Sequence, residues 1–232
     1  MKKVAVITAA SKGMGAACAG ALAKAGYTVV LMARSEEILS LAHSLGGRGL
    51  RGSVTSPDDL RALINLAMEH YGRIDVLVNN TGHPPKGDLL ELTDEQWQEG
   101  GEMVLMNVVR TARMVTPIMQ SQGGGSIINI STFAAFEPSL KFPLSSVYRT
   151  ALASYTKLFA SRFGADNIRM NNILPGYIES YPVTDEVLND IPLGRSGKLE
   201  EIGQTAAFLA SEGAAYISGE NLKVDGGITK NI

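Results

Sequence analysis

Short apolar runs alternate along the chain with longer segments in which apolar residues recur every three or four positions. The short runs are rich in β-branched residues, as expected of buried strands. They are Val4 to Ile7, Thr28 to Met32, Ile74 to Val78 and Ser126 to Ile130. The longer segments have helical periodicity. Strands that alternate with helices predict an α/β fold: a doubly wound parallel sheet with right-handed crossovers and helices on both faces.

Two local signals mark where helices begin. Ser56 can cap a helix with Pro57 at its first position, and Thr93 to Gln96 has the pattern of a capping box that opens the helix holding Trp97. Asn107 interrupts the apolar face of the next helix. That face consists of Leu105, Val108, Val109 and Ala112. A buried asparagine needs hydrogen-bond partners, so Asn107 is either a packing residue or part of a site.

Composition narrows the class of protein. With 232 residues, 45% of them hydrophobic, the chain can bury a substantial core, and no linker, repeat or low-complexity tract divides it. We therefore expect one soluble domain over residues 1–232. The formal net charge of −2 gives no electrostatic footprint for nucleic acid or an anionic membrane, so neither is an expected partner. No apolar run approaches the roughly 20 residues that span a bilayer.

The cysteine content and the start of the chain suggest a location. Cys18 is the only cysteine, which excludes an intramolecular disulfide and a metal site made of cysteines alone. The first ten residues superficially resemble a signal peptide, but their apolar run is short and is soon interrupted by Lys12 and Gly13. Both observations favour the reducing cytoplasm.

A glycine-containing turn follows the first apolar run. Thr8 to Gly15 precedes the alanine-rich segment Ala16 to Ala25, which Gly26 ends as a C-cap would. Strand, glycine turn and helix in this order form the context of a dinucleotide phosphate site. Glycines let the backbone approach the pyrophosphate, and the helix N-terminus offers free N–H groups. A tight turn without a ligand is the alternative.

The residue after the second strand bears on the kind of dinucleotide. In NAD sites an acidic residue usually holds the ribose 2′-hydroxyl near this position, whereas an arginine accommodates a 2′-phosphate. Arg34 stands here, and Lys12 adds a second cation beside the glycine turn. They predict NADP(H) in preference to NAD(H). Two solvated basic residues are the alternative.

Polar residues also follow two later strands. Asn79 to Gly82 follows the third apolar run, and Ser131 and Thr132 follow the fourth. The carboxyl ends of parallel strands share one edge, where open α/β sheets bind ligands. His83 lies in a loop made irregular by two prolines, and no His or Cys stands at metal-ligand spacing from it. We therefore interpret it as a loop histidine and predict no metal site.

Together these residues resemble the short-chain dehydrogenase/reductase family, a one-domain, Rossmann-like fold with about seven strands. The family pattern TGxxxGxG is matched by Thr8 to Gly15 except for Ala9 at the first glycine, and NNAG by Asn79 to Gly82. Asn172 to Ser180 is similar to NxIxPGxIxT. Shorter matches are Ile191 to Arg195, Phe208 to Ser211 and Val224 to Gly227. The resemblance covers essentially the whole chain.

The resemblance implies an oxidoreductase that interconverts a carbonyl and an alcohol on a small-molecule or acyl-type substrate. In the family a Tyr transfers the proton, and a Lys lowers the pKa of that Tyr and holds the ribose. A Ser steadies the carbonyl oxygen, and an Asn supports a water-linked proton path. Asn107 matches the Asn, and Thr132 occupies the Ser position with Ser131 beside it.

The cofactor contacts that the family implies are spread over the whole chain. They are Thr8, Ala10, Ser11, Lys12, Gly13, Met14, Gly15, Arg34, Ser53, Val54, Asn80, Thr81, Gly82, Arg149, Pro175, Gly176 and Ile178. Tyr181 to Asp190 is the expected substrate lid, and it is short. The family also implies a homotetramer or dimer, with the helices around Leu105 to Met119 and Val147 to Phe159 at the interfaces.

The family's YxxxK motif is absent. Matching Thr156-Lys157 to the family without a gap places Ser145 at the Tyr position and Arg149 at the Lys position. Matching Tyr148 to the Tyr requires a three-residue shift on both sides, so we prefer the ungapped register. On a helix, Ser145 and Arg149 lie about 40° apart, whereas Tyr148 lies about 60° from Ser145, towards an apolar arc.

These replacements leave three outcomes open, because a serine hydroxyl is a weaker acid than a tyrosine and an arginine does not relay protons as a lysine might. The chain is a reductase in which Tyr148, a water or a substrate group supplies the proton. It is an enzyme whose carbonyl needs only polarisation by Ser145, Thr132 and Arg149. Or it is an NADP(H)-binding sensor or an inactive partner subunit.

Overall fold

Seven parallel strands form one sheet in the computed structural model, which describes residues 2–231. The strands are β1 (Val4–Ile7), β2 (Thr28–Ala33), β3 (Arg48–Arg51), β4 (Val76–Asn79), β5 (Gly125–Ile130), β6 (Ile168–Pro175) and β7 (Asn221–Val224). Their order across the sheet is β3-β2-β1-β4-β5-β6-β7. The predicted doubly wound parallel sheet is confirmed. Met1 and Ile232, the two ends of the predicted domain, lie outside the described residues.

Helices cover both faces of the sheet. They are α1 (Gly13–Lys24), α2 (Glu37–Ser44), α3 (Pro57–Tyr71), α4 (Asp94–Gly101), α5 (Asn107–Ser121), α6 (Pro143–Phe163), α7 (Asp185–Asp190) and α8 (Leu199–Ala210). Helices α1, α2 and α8 pack on one face through residues such as Leu22, Ile38 and Leu209. Helices α3, α5 and α6 pack on the other through residues such as Leu63, Val115 and Phe159. No helix within residues 2–231 is both long and apolar enough to cross a bilayer.

The predicted helix starts hold, and one predicted helix differs. The Ser56 side chain accepts a hydrogen bond from Asp59 N–H, and Thr93 and Gln96 form the expected capping box. The helix expected around Leu105 begins instead as a π-helical turn, Glu102–Met106, so that α4, this turn and α5 are continuous. A π-turn inserts one residue into the helical repeat, and the apolar pattern alone does not reveal it.

Candidate active site

Buried polar atoms without partners cluster at the carboxyl edge of the sheet. Five such side-chain atoms occur in the described residues, and four belong to Thr81, Asn107, Ser131 and Arg149. Thr81 follows β4, Ser131 follows β5, Asn107 begins α5, and Arg149 reaches the end of β5 from α6. Native proteins rarely leave buried polar atoms unpaired, so such a cluster marks a place where a ligand or water completes the bonding.

The glycine turn and the turn after β4 form one wall of this site. Thr8 Oγ1 donates to the Asn80 carbonyl (2.8 Å) and accepts from Asn80 N–H (2.9 Å), while Asn80 Nδ2 donates to the Ala9 carbonyl (3.0 Å). A Cβ at Gly15 would lie 2.5 Å from the Ala9 oxygen, so only glycine fits there. Gly13, with φ +59°, begins α1 in a conformation that favours glycine. The predicted phosphate turn therefore adjoins the predicted Asn80-Thr81-Gly82 turn.

The two basic residues expected at the 2′-phosphate are exposed. Arg34 follows β2, and Lys12 precedes α1. In the described structure neither Arg34 nor Lys12 is paired with a carboxylate. Glu37, which begins α2, is an acid nearby that sequence reasoning overlooked. A hydrogen bond from Ser35, one from the backbone and the charge of Lys12 lower the pKa of its carboxyl.

The remaining predicted cofactor contacts fall in three places. Ser53 follows β3, where its N–H donates to Asp59 Oδ2 (2.8 Å), and the neighbouring Val54 packs into the core. Pro175 ends β6, and a Cβ at Gly176 would lie 2.8 Å from Asp225 Cα. Ser11 and Met14 belong to the glycine turn. Ala10 is buried beside that turn, and Ile178 is buried in the segment after β6.

Asn107 lies where the π-helical turn meets α5. Its Nδ2 donates to the carbonyl of Met103 inside that turn, whereas its Oδ1 is buried without a partner. Of the two possibilities for Asn107, the unpaired carbonyl half of the amide favours a residue of the site over a packing residue. π-turns are frequent at functional sites, and this one presents an unused acceptor at the sheet edge.

The two hydroxyls after β5 and the Ser145 hydroxyl differ in their bonding. Ser131 is buried with its oxygen unpaired, and Thr132 Oγ1 accepts from Ala134 N–H (3.4 Å) at the start of a 3-10 turn. Ser145, in the first turns of α6, is half-buried, and its hydroxyl has no hydrogen bond within the described residues. Thr132 and Ser145 thus keep hydroxyl hydrogens that are free to donate.

Arg149 extends from α6 towards the end of β5. Its side chain is buried, one Nη donates to the Ile130 carbonyl, and its Nε has no partner. No carboxylate of the described residues pairs with it. Burial lowers the pKa of the guanidinium to about 10, so the group still carries its charge at neutral pH. The site thus contains a desolvated positive charge with an unused N–H.

Tyr148 is held away from this cluster. Its hydroxyl donates to the carbonyl of Trp97 (2.8 Å), and its ring packs edge-on against the Trp97 ring with 6.0 Å between centroids. A Cβ at Gly101 would lie 3.1 Å from the Tyr148 ring, so glycine at 101 makes room for it. The side chain fills the space between α6 and α4 and is not directed at the unpaired atoms.

A second group of side chains lies between the loop after β4 and the start of the predicted lid. Lys86 Nζ donates to the Tyr181 hydroxyl (2.9 Å) and lies 4.9 Å above the ring of Phe142. The ring of His83 contacts that of Tyr181, with centroids 5.9 Å apart. Sequence reasoning did not single out Lys86, which connects the loop after β4 to the start of the predicted lid.

Comparison with known proteins agrees with this fold. A family model described as Enoyl-(Acyl carrier protein) reductase matches residues 8–229. The chain is 34% identical to 3-oxoacyl-[acyl-carrier-protein] reductase FabG of Thermotoga maritima over 242 residues, which cover 97% of each protein. It is 32% identical to Dehydrogenase/reductase SDR family member 4 of Caenorhabditis elegans, covering 97% of this chain and 95% of the relative.

Solved structures give the same result. L-sorbose reductase from Gluconobacter frateurii, complexed with NADPH and L-sorbose, superposes with a TM-score of 0.91 at 33% identity and covers 100% of this chain and 98% of that one. YwfH, an NADPH-dependent reductase involved in bacilysin biosynthesis, superposes with a TM-score of 0.94 at 25% identity, covering 100% of both chains. The chain belongs to the short-chain dehydrogenase/reductase family.

Proposed function

We propose that the protein is an NADP(H)-dependent oxidoreductase that interconverts a carbonyl and an alcohol. The proposed site uses Asn107, Thr132, Ser145 and Arg149 in place of the family's Asn, Ser, Tyr and Lys. The observation that carries this proposal is the cluster of unpaired buried polar atoms beside the glycine turn. Relatives described as reductases and as NADPH complexes support it.

The residues around the glycine turn fit a dinucleotide. The N-terminus of α1 has no acidic residue in its first turn, and Gly15 leaves space for a close approach of the backbone. Thr81 offers an unpaired hydroxyl where the nicotinamide half would lie. Arg34 and Lys12 would hold a 2′-phosphate, and Arg149 would hold the ribose. When bound, the nicotinamide supplies or accepts the hydride.

The chain's own groups would manage charge on the carbonyl oxygen. The hydroxyls of Thr132 and Ser145 donate to that oxygen, and the nearby charge of Arg149 stabilises negative charge that develops on it. Such stabilisation is effective because the guanidinium is desolvated and already in place. Asn107 Oδ1 accepts from a water that connects the site to solvent. Protonation of the oxygen then follows along this water, since no hydroxyl in the cluster matches a tyrosine in acidity.

The proposal predicts oxidation of NADPH by a carbonyl compound. The test follows NADPH absorbance with a panel of ketones, quinones and 3-oxoacyl thioesters. Turnover with at least one class supports an enzyme.

The alternative is an NADP(H)-binding sensor or an inactive partner subunit. One observation favours it: the tyrosine next to the site donates its hydroxyl to Trp97 and is not free for chemistry. Tight NADPH binding without consumption by any member of the panel selects this alternative.

Cofactor preference is tested separately by titrating NADPH and NADH. We expect NADPH to bind tighter, because the phosphate gains charge-assisted hydrogen bonds that NADH lacks. Arg34→Leu should weaken NADPH binding by roughly tenfold and leave NADH almost unchanged. Arg48→Leu removes an exposed arginine at the opposite end of the strands and serves as control. Tighter binding of NADH by the unmodified protein contradicts the preference.

The segment Tyr181 to Asp190 is proposed as the substrate lid. It carries the short helix α7, which Thr184 caps, and its first residue contacts the loop after β4. A cytoplasmic location remains a prediction from the cysteine content and the start of the chain.

A further inference from the structure

The π-helical turn between α4 and α5 determines how the side chain of Asn107 is bonded. In an α-helix the N–H of residue 107 would donate to the carbonyl of residue 103, four positions earlier. Here it donates to the Glu102 carbonyl, five positions earlier. The Met103 carbonyl instead accepts a hydrogen bond from the side-chain Nδ2 of Asn107. The extra residue in the turn thus gives this amide a backbone partner, which fixes its orientation and leaves its Oδ1 unpaired.

The helix is anchored separately on each side of this turn. On the α4 side, the Tyr148 hydroxyl donates to the Trp97 carbonyl (2.8 Å), and the Tyr148 ring lies against Gly101. On the α5 side, Thr111 donates to Asn79 Oδ1 (2.8 Å) at the end of β4. These anchors are compatible with an extra residue at any position between Trp97 and Thr111. They therefore do not decide which backbone carbonyl becomes available to a side chain.

An ion pair spans the turn. Both Nη atoms of Arg110 donate to the carboxylate of Glu102, eight positions earlier, and the two side chains are partly buried. A regular α-helix of about 100° per residue would place these two residues about 80° apart around its axis. With one extra residue taken up by the π-turn, they are equivalent to about seven α-helical residues, which leaves an offset of about 20°. The pair therefore fits the helix that contains the turn and not the regular helix.

The geometry of this ion pair suits it to fix the position of the turn. In the part of the chain that the structure describes, neither Glu102 nor Arg110 pairs with any other charged side chain. A bidentate arginine–carboxylate pair combines two charge-assisted hydrogen bonds with a defined orientation of both groups. Such a pair constrains the angle between its two residues, whereas a single exposed ion pair constrains little.

We propose that the ion pair of Glu102 and Arg110 holds the π-helical turn in place and thereby positions the Oδ1 of Asn107 in the site. Both are positioning residues, because they act through Asn107 and neither contributes an unpaired atom to the cluster at the sheet edge. This inference rests on the proposed function for the role of Asn107 as the acceptor from a water. Without the ion pair the extra residue moves towards α4, and the N–H of residue 107 takes the Met103 carbonyl from the side-chain amide.

The first test observes the side-chain amide of Asn107 by NMR and needs no turnover. Its N–H signals are the pair that Asn107→Ala lacks. Burial and the bond to the Met103 carbonyl should slow the exchange of the bonded hydrogen with water. Glu102→Gln and Arg110→Gln should each accelerate that exchange by about fivefold or more.

The control is an ion pair of the same kind at the opposite end of the strands. Arg73 donates from Nε and Nη2 to the two carboxylate oxygens of Asp75, and this pair is also partly buried. Arg73→Gln should lower the Tm as Glu102→Gln does, because each variant loses one bidentate pair. It should leave the exchange at Asn107 unchanged, because Asp75 precedes β4 and lies far from the turn.

The second test uses a carbonyl compound that the protein turns over. Glu102→Gln should lower kcat by about three- to tenfold and leave KM and NADPH binding nearly unchanged. In the Asn107→Ala background the same substitution should have no further effect on kcat, because the effects of residues that act through one group are not additive. Loss of stability alone would not produce this dependence on Asn107.

Several outcomes overturn the inference. Unchanged exchange at Asn107 in Glu102→Gln does so, as does an equal acceleration in Arg73→Gln, which would reflect a general loss of stability. Additive losses of kcat in Glu102→Gln and Asn107→Ala also overturn it. If NADPH is consumed but Glu102→Gln leaves the exchange unchanged, the proposed function stands and the inference fails. If the exchange accelerates as expected but nothing consumes NADPH, the positioning of Asn107 stands and the proposed activity fails.

Discussion

Ala9 occupies the first glycine position of the phosphate turn, and its backbone has φ +48°. A residue with a Cβ pays about 1–2 kcal/mol for the left-handed region, which glycine avoids. Ala9→Gly should therefore stabilise the protein by about 1 kcal/mol after the greater flexibility of the unfolded glycine chain is subtracted. That change corresponds to an increase in Tm of about 2–4 °C for a chain of this size, measured by thermal unfolding.

The neighbouring alanine provides the control for that prediction. Ala10 is buried and its φ is not positive. Ala10→Gly should therefore lower Tm, because it adds unfolded-state entropy and removes a buried methyl group without relieving strain. An unchanged or lower Tm for Ala9→Gly would show that strain at residue 9 is not significant.

The proton donor is also a question at the scale of single residues. Because the Tyr148 hydroxyl donates to the Trp97 carbonyl, Tyr148→Phe should leave kcat within about twofold and lower stability by about 1 kcal/mol. Ser145→Ala should reduce kcat by about tenfold or more, because it removes a donor to the developing oxyanion. Steady-state kinetics with a responsive carbonyl compound checks both. A large loss of kcat in Tyr148→Phe, with little effect in Ser145→Ala, would restore the tyrosine to the mechanism.

Between the strands, four asparagines form a ladder that holds the site helices. Asn79, Asn129, Asn172 and Asn221 are cross-strand neighbours on β4 to β7. Each Nδ2 donates to the next Oδ1 along the row, at 2.9, 2.9 and 2.8 Å. Amide-to-amide bonds of this kind use both ends of each interior side chain.

Two threonines connect the ladder to the helices that bear the site. Thr111 of α5 donates to Asn79 Oδ1 (2.8 Å), one turn after Asn107. Thr156 of α6 donates to Asn172 Oδ1 (3.0 Å), two turns after Arg149. Both helices are therefore fixed to the sheet just behind the unpaired atoms, so the ladder sets their positions.

Replacing an interior asparagine of the ladder should cost more than replacing the last one. Asn129→Leu leaves the buried Asn79 Nδ2 without a partner, at about 1–3 kcal/mol, and also removes one of the two donors to Asn172 Oδ1 and the donor to Thr156 Oγ1. Asn221→Ala removes only the acceptor of Asn172 Nδ2, at the partly buried end of the row. Urea unfolding should therefore give a loss of about 2–5 kcal/mol for Asn129→Leu and about half of that or less for Asn221→Ala. Equal losses would mean that the amide bonds do not act as a connected row.

The sequence predicts the features that depend on local pattern. Ser56 and Thr93 predict their helix caps from patterns of four residues. The glycine turn can be predicted because its strand, turn and helix are adjacent in the sequence. Contacts between residues far apart in the sequence cannot be predicted from such local patterns. The bond from Tyr148 to Trp97 joins residues 51 apart, and that from Lys86 to Tyr181 joins residues 95 apart. Only the fold brings these pairs together. The position of Tyr148 on its helix therefore left open whether its hydroxyl reaches the site, and the bond to Trp97 could not be predicted from it.

At the scale of the whole molecule, one apolar side of α6 is not buried in the core. Val147 is 49% exposed and Leu158 68% exposed, with the partly buried Ala151 and Tyr155 between them at helical spacing. Phe159, the last residue of the segment predicted at the interface, is buried in the core instead. If this helix lies at a subunit interface, as predicted, the apolar part of that interface is the stripe from Val147 to Leu158.

If this stripe is an interface, an acidic residue in it should split the assembly without unfolding the subunit. Leu158→Asp buries an unpaired charge only in the oligomer, because in the single subunit the side chain is exposed to water. Gel filtration with light scattering should show an oligomer for the unmodified protein and smaller species for Leu158→Asp, with unchanged circular dichroism. Leu90→Asp, at a leucine that is 92% exposed in the loop before α4, should keep the original mass. A monomeric unmodified protein contradicts the interface, and the stripe then faces water in a single subunit.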